Sequence, residues 1–201
     1  MKKHTSTKQL CLLALMAALL GLMAFTPLGY CNIGPLAITF NMIPGAIAAI
    51  AAGPTGGAIA GGVFGITSFL QCLGIGGSSA MGVILLQINP FLAFAQRFVP
   101  RVLAGLVTGA AYQLLARRGV PPFWRCAISG LLAAALNTAL FMGALVLLFG
   151  TTPYLQGLMA GRSVLLFICT FVGVNALVEW LACTAVCGAV GRALYAAKLI
   201  S

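Results

Sequence analysis

One side chain in this 201-residue chain is acidic: Glu179 stands against eleven Lys and Arg. It lies inside the apolar stretch Asn175-Ala-Leu-Val-Glu179-Trp-Leu-Ala. Arg97 and Arg101 are embedded in a second apolar stretch, and Asn137 in a third. A carboxylate at bilayer depth is costly unless it is paired or faces a polar cavity, so Glu179 marks a functional site by default. The chemistry open to these groups is narrow. With no Asp in the chain, a paired-carboxylate acid/base mechanism is excluded. The single His4 sits at the N-terminus, away from any partner, so no Ser-His-Asp, zinc or haem set can be assembled. No Gly-x-x-x-x-Gly-Lys-Ser/Thr run is present, which excludes a P-loop. The reading is therefore not an enzyme, with no cofactor and no metal. What remains is electrostatic: an anion and one or two cations facing each other inside a membrane.

The composition requires that membrane. Hydrophobic residues make up 62% and charged residues 6%, and the mean hydropathy is +1.12. A soluble domain of this length needs far more surface polarity. A span takes roughly 20 residues, so the chain holds at most about six or seven. The expected fold is an all-α polytopic bundle, one domain over residues 1–201, with spans near 8–25, 36–52, 57–73, 90–116, 123–149 and 163–198. Residues 26–35, 74–88 and 150–162 read as loops, 80–88 being apolar but too short to cross. Span 163–198 would be ~54 Å long as one helix, against a hydrocarbon core of about 30 Å. A bend or break near Gly173 is expected. An N-terminal signal peptide is the minor alternative for Lys2 to Ala24.

The bases orient the bundle. With six spans, Lys2, Lys3, Lys8, Arg117, Arg118, Arg125, Arg192 and Lys198 fall on one side, which places both termini in the cytoplasm. The same distribution explains the basic pI without nucleic acid. Arg101 precedes Arg117 by 16 residues, ~24 Å of helix. Glu179 precedes Lys198 by 19 residues, about 28 Å. Both reach the outer half of the membrane, with Asn175 one turn beyond Glu179 on the same face. Opposite charges at one depth make either a pocket opening outward or a structural pair pinning two helices, and one network can do both. Glu179 alone would also have to serve a self-sufficient secondary carrier, the alternative reading.

Small residues repeat at helical spacing: Ala14, Ala18 and Gly21; Gly53, Gly57, Gly61 and Gly65; Gly105 and Gly109. Such faces let backbones approach closely in lipid. The second set reads as internal packing. The Ala14–Ala18 face could also dock a separate membrane subunit. Seven cysteines read as small buried hydrophobes, with a Cys31–Cys72 disulfide as one possibility between outer loops.

The pieces Thr26-Pro-Leu-Gly-Tyr…Ile33-Gly-Pro-Leu, Gly53-Pro-x-Gly-Gly-Ala-Ile-x-Gly-Gly-x-Phe-Gly-Ile-Thr67, Asn89-Pro…Pro100-Arg-Val-Leu-Ala-Gly105, Leu136-Asn-Thr138 and Gly173-Val-Asn-Ala-Leu-Val-Glu179 span nearly the whole chain. In this order and spacing the chain resembles the S components of energy-coupling factor (ECF) vitamin transporters, most of all the pantothenate type. The resemblance implies a substrate-binding subunit of an ATP-driven importer in the plasma membrane. A water-soluble vitamin would be bound in the outer half of a six-helix bundle. Ala14-x-x-x-Ala18 would meet an energy-coupling membrane subunit, and two separate cytoplasmic ATPases would hydrolyse ATP. For a pantothenate-like ligand, Arg101 would hold the carboxylate. Asn89, Asn137 and Asn175 would serve hydroxyls and amide. Glu179 would orient an arginine or accept from a ligand hydroxyl. Two departures stand out: Phe40-Asn41-Met42 occupies a place where pantothenate-like members often carry a His, and Arg97 adds to the usual single arginine, either binding ligand or pinning helices.

Overall fold

The computed structural model describes residues 7–26, 29–32, 37–76, 79–161 and 163–200. Helices dominate: α1 (Thr7–Ala24), α2 (Met42–Cys72), α3 (Ala80–Ile88), α4 (Pro90–Arg117), α5 (Pro122–Phe149), α6 (Pro153–Met159) and α7 (Val164–Ala196). Two short strands, β1 (Tyr30–Asn32) and β2 (Ala37–Thr39), pair antiparallel with Tyr30 opposite Thr39. Five helical segments are long and apolar enough to cross a membrane: α1, α2, α4, α5 and the 175–196 part of α7.

α2 is two arms rather than one rod. Gly53 has φ 69° and ψ −157°, outside the helical region, and is followed by Pro54. A side chain strongly disfavours that φ, and proline cannot supply the donor to continue the ladder, so the chain breaks where Gly-Pro stands. Both arms lead back to one end of α1. Gln9 donates its side-chain amide to the Ala51 carbonyl beside the bend. At the other end, Gln71 donates to the Ala24 carbonyl at 2.6 Å, while Gly29, against Met23, also meets Asn41, which leads into the first arm.

The second arm packs on α4 through the glycine ladder. A Cβ at Gly57 would strike the Gly105 carbonyl, one at Gly61 the Arg101 carbonyl, one at Gly65 the Phe98 backbone at 2.9 Å, and one at Gly109 the Gly53 carbonyl. Here the small residues serve internal packing, backbone against backbone. α5 and α7 repeat the device antiparallel: Gly130 lies on Cys183 and Cys187, and Gly191 on Cys126.

Several expectations are corrected. The 36–52 segment begins helical structure only at Met42, because 37–39 pair as β2. Residues 80–88 are a helix, not a loop: Ser79 accepts from the Gly82 N–H and so supplies the N-cap for α3. The 150–162 loop contains α6, started by Thr152 in the same way. α7 is not broken at Gly173, which continues in helical conformation. The glycine there has no neighbour that forces a turn. Cys72 is a buried free thiol whose Sγ lies 3.4 Å from the Ser68 carbonyl, so no disulfide joins it to Cys31, whose side chain lies outside the described residues.

The core divides in two. One apolar cluster joins Leu20, Ile47, Phe64, Ala133, Cys183 and Cys187. A second joins Leu85, Ala93, Met142, Leu145, Phe149 and Phe167. On α5 Asn137 falls between the clusters, and on α7 Asn175 and Glu179 do. The fold thus leaves a polar layer between two apolar ones.

Candidate functional site

That layer gathers most of the residues singled out by the sequence. Arg97, Arg101, Asn137, Asn175 and Glu179 are each 6–7% exposed. Arg101 comes from α4, where the Gly61 contact draws the helix backbone against the second arm of α2. Its guanidinium lies 4.4 Å from the centre of the Phe64 ring and 5.1 Å from that of Phe141. Such stacking holds a planar cation without neutralising it. Nη1 donates to the Arg97 carbonyl at 2.6 Å, so the head folds back over its own helix.

Glu179 is met by a backbone group: the Thr39 N–H donates to Oε1 at 2.7 Å. Arg101 also acts on this carboxylate electrostatically. The carboxylate thus lies at the end of the strand pair, within electrostatic reach of Arg101. Arg97 points elsewhere. Its Nη2 donates to Ser79 Oγ at 3.2 Å, and a Cβ at Gly82 would lie 3.0 Å from the same nitrogen. Arg97 thereby seats the start of α3, and it faces Phe141 from 5.2 Å. One aromatic ring is shared by both arginines.

Asn137 is buried, and its side-chain oxygen has no hydrogen-bond partner among the described residues. Asn89 is different. It is the N-cap of α4, its oxygen accepting from the N–H groups of Phe91 and Leu92 at 3.1 and 3.2 Å. Its side-chain oxygen is occupied in starting α4, while its backbone N–H donates to the Leu85 carbonyl at the end of α3. Ala14 and Ala18 are exposed on α1, whose buried residues are Met16, Leu20 and Ala24. Among the described residues, their face is left exposed.

Several contributors were not singled out from sequence. The Thr39 donor is a main-chain group and has no sequence signature. Phe64 and Phe141 cannot be told from core aromatics by type alone. Gln96 and Asn41 are fully buried, and neither amide atom of either side chain has a hydrogen-bond partner among the described residues. Gln96 did carry a signal, being a polar residue beside Arg97 in an apolar helix. A cavity lined by Met42, Ala46, Gly61, Phe64, Arg101 and Thr108 runs inward from Arg101, with a volume of about 10 Å³. That is room for roughly one water on this side of Arg101.

Several apolar helices long enough to cross a membrane, with buried charged and amide side chains between them, define a polytopic membrane protein. Residues 8–190 match the family described as ECF transporter, substrate-specific component. The chain belongs to that family, and so is a multi-pass plasma-membrane component of a transporter. It is also similar to the pantothenate transporter PanT of Leuconostoc mesenteroides subsp. mesenteroides, at 35% identity over 128 residues. The match covers 62% of this chain and 58% of that relative, a little over half its length.

Proposed function

We propose that this chain captures pantothenate, or a close carboxylate relative, from outside the cell and delivers it through an ATP-driven ECF importer. The observation that carries the reading is the buried Arg101 beside Glu179, roofed by Thr39. Arg101 is held by stacking and by a carbonyl it can leave, which suits a cation that exchanges an internal contact for a ligand carboxylate. Asn137, Gln96 and Asn175 supply donors and acceptors for hydroxyl and amide groups. Glu179 orients Arg101 and fixes the cover. In this reading Arg97 pins α3, and Asn89 caps α4 rather than touching ligand.

The chain crosses the membrane six times in this proposal, the two arms of α2 counting separately, with both termini cytoplasmic. One domain over residues 1–201 holds the site. Ala14 and Ala18 form the smooth face that an energy-coupling membrane subunit contacts, and ATP is hydrolysed by two separate subunits. Ligand entry in this proposal draws Arg101 from the Arg97 carbonyl and parts the β1–β2 cover from Glu179. Purified chain should bind pantothenate, shown by a thermal shift in a screen of water-soluble vitamins. Uptake into liposomes should need the coupling subunit, the ATPases and ATP. Uptake by the isolated chain, driven by a proton gradient, would overturn the proposal.

A further inference from the structure

A second polar cluster lies at the opposite end of the bundle from the strand pair, where α4 ends, α5 begins and α7 ends. Arg125 there is 7% exposed. Its guanidinium lies 5.1 Å from the centre of the Tyr112 ring and 5.4 Å from that of Tyr195. Neither Nε nor Nη2 has a hydrogen-bond partner among the described residues. These two nitrogens share one edge of the planar group, the edge that presents parallel N–H bonds to two oxygens of a single anion. Tyr112 meets Arg125 through a side-chain hydrogen bond; a guanidinium stays charged in a protein, and leaving its other buried donors unmade is expensive. The chain has no side-chain carboxylate to offer: its sole acidic residue, Glu179, precedes Tyr195 by 16 residues, ~24 Å along α7.

The surroundings indicate the source of the anion. Arg117, Arg118, Arg192 and Lys198 are exposed at the same end, and Trp124 and Tyr195 are 59% and 45% exposed. Exposed aromatics among bases at helix ends mark the headgroup layer, where basic residues attract anionic lipid. We propose that Arg125, walled by Tyr112 and Tyr195, binds the phosphate of an anionic phospholipid. The half-exposed Tyr195 ring is the wall whose rotation admits it. This site is independent of the vitamin and of its identity.

The test compares the full chain in nanodiscs of phosphatidylcholine, of phosphatidylcholine with phosphatidylglycerol, and of phosphatidylcholine with added inorganic phosphate. Native mass spectrometry counts retained lipid, and thermal unfolding follows stability. Wild type should retain phosphatidylglycerol and be stabilised by it, with inorganic phosphate giving no comparable effect. Arg125→Gln should weaken retention at least about tenfold, the loss of one charged bidentate contact. Arg125→Lys keeps the charge but not the fork, so it should fold and still lose retention several-fold. Arg118→Gln removes one exposed charge of the surrounding surface and should cost clearly less than Arg125→Gln. Equal retention by wild type and Arg125→Lys would overturn the proposal. So would an equal loss in Arg118→Gln, inorganic phosphate replacing the lipid, or equal stability of wild type in all three discs.

Discussion

The backbone N–H of Thr39 donates to the Glu179 carboxylate at 2.7 Å, so the chain's single acidic side chain joins the last helix to the end of the strand pair. A carboxylate that accepts a main-chain donor and faces Arg101 has two uses at once. It steadies the cation, and it fastens the cover above it. Parting the strand pair from the last helix must break this contact.

Glu179→Ala removes the acceptor and leaves the Thr39 N–H unmade. A hydrogen bond to a charged group is worth about 1.5–3 kcal/mol, or roughly 10- to 100-fold in an opening equilibrium. Amide exchange at Thr39 should accelerate by that order, with Glu179→Gln between the variant and wild type. Unchanged exchange would show that the cover is held by other contacts.

Phe141 serves two guanidinium groups. Phe141→Leu preserves apolar volume while deleting the ring faces, each worth about 0.5–2 kcal/mol to a cation. Pantothenate affinity should fall by about tenfold with small loss of stability. A larger loss of stability than of affinity would assign the ring to packing alone.

Gly61 is the closest link between packing and site, since a Cβ there meets the Arg101 carbonyl. Gly61→Ala should push α4 outward at the level of Arg101, costing about 1–3 kcal/mol and weakening ligand binding together. Gly21→Ala, with nothing within 4 Å, is the control and should be neutral in both. Thermal unfolding in detergent, with and without pantothenate, measures both effects.

Ala14→Trp and Ala18→Trp test the exposed face of α1. Each should leave folding and ligand affinity intact and abolish co-purification with the coupling module, together with uptake. Retention of a normal complex would move the contact to another face.

The helices were legible where physics is local. Apolar length gave α1, α4, α5 and α7, Gly53-Pro54 gave the reversal, and counting 1.5 Å per residue put Arg101 and Glu179 at one depth. α3 and α6 were not legible, because short apolar segments are fixed by Ser79 and Thr152 caps and by tertiary packing rather than by span length. The continuity of α7 was missed for the opposite reason. Length alone suggested a bend or break near Gly173, but the helix runs on from Val164 to Ala196, since excess length does not by itself interrupt the hydrogen-bond ladder. Within the site, the charged and amide residues were visible as polar exceptions in apolar helices. Thr39 was not, since its main-chain N–H is common to nearly every residue. Arg97 was visible as a charge, but its direction was not: only the Ser79 hydroxyl shows that it serves α3.

The most direct test is isothermal titration of pantothenate into the purified chain and into Arg101→Ala. A saturable one-to-one heat for wild type, lost in Arg101→Ala while the fold survives, is the predicted result. Equal affinity in both proteins, or no heat from wild type with pantothenate or any other vitamin carboxylate, would contradict an anion site built on Arg101 and Glu179.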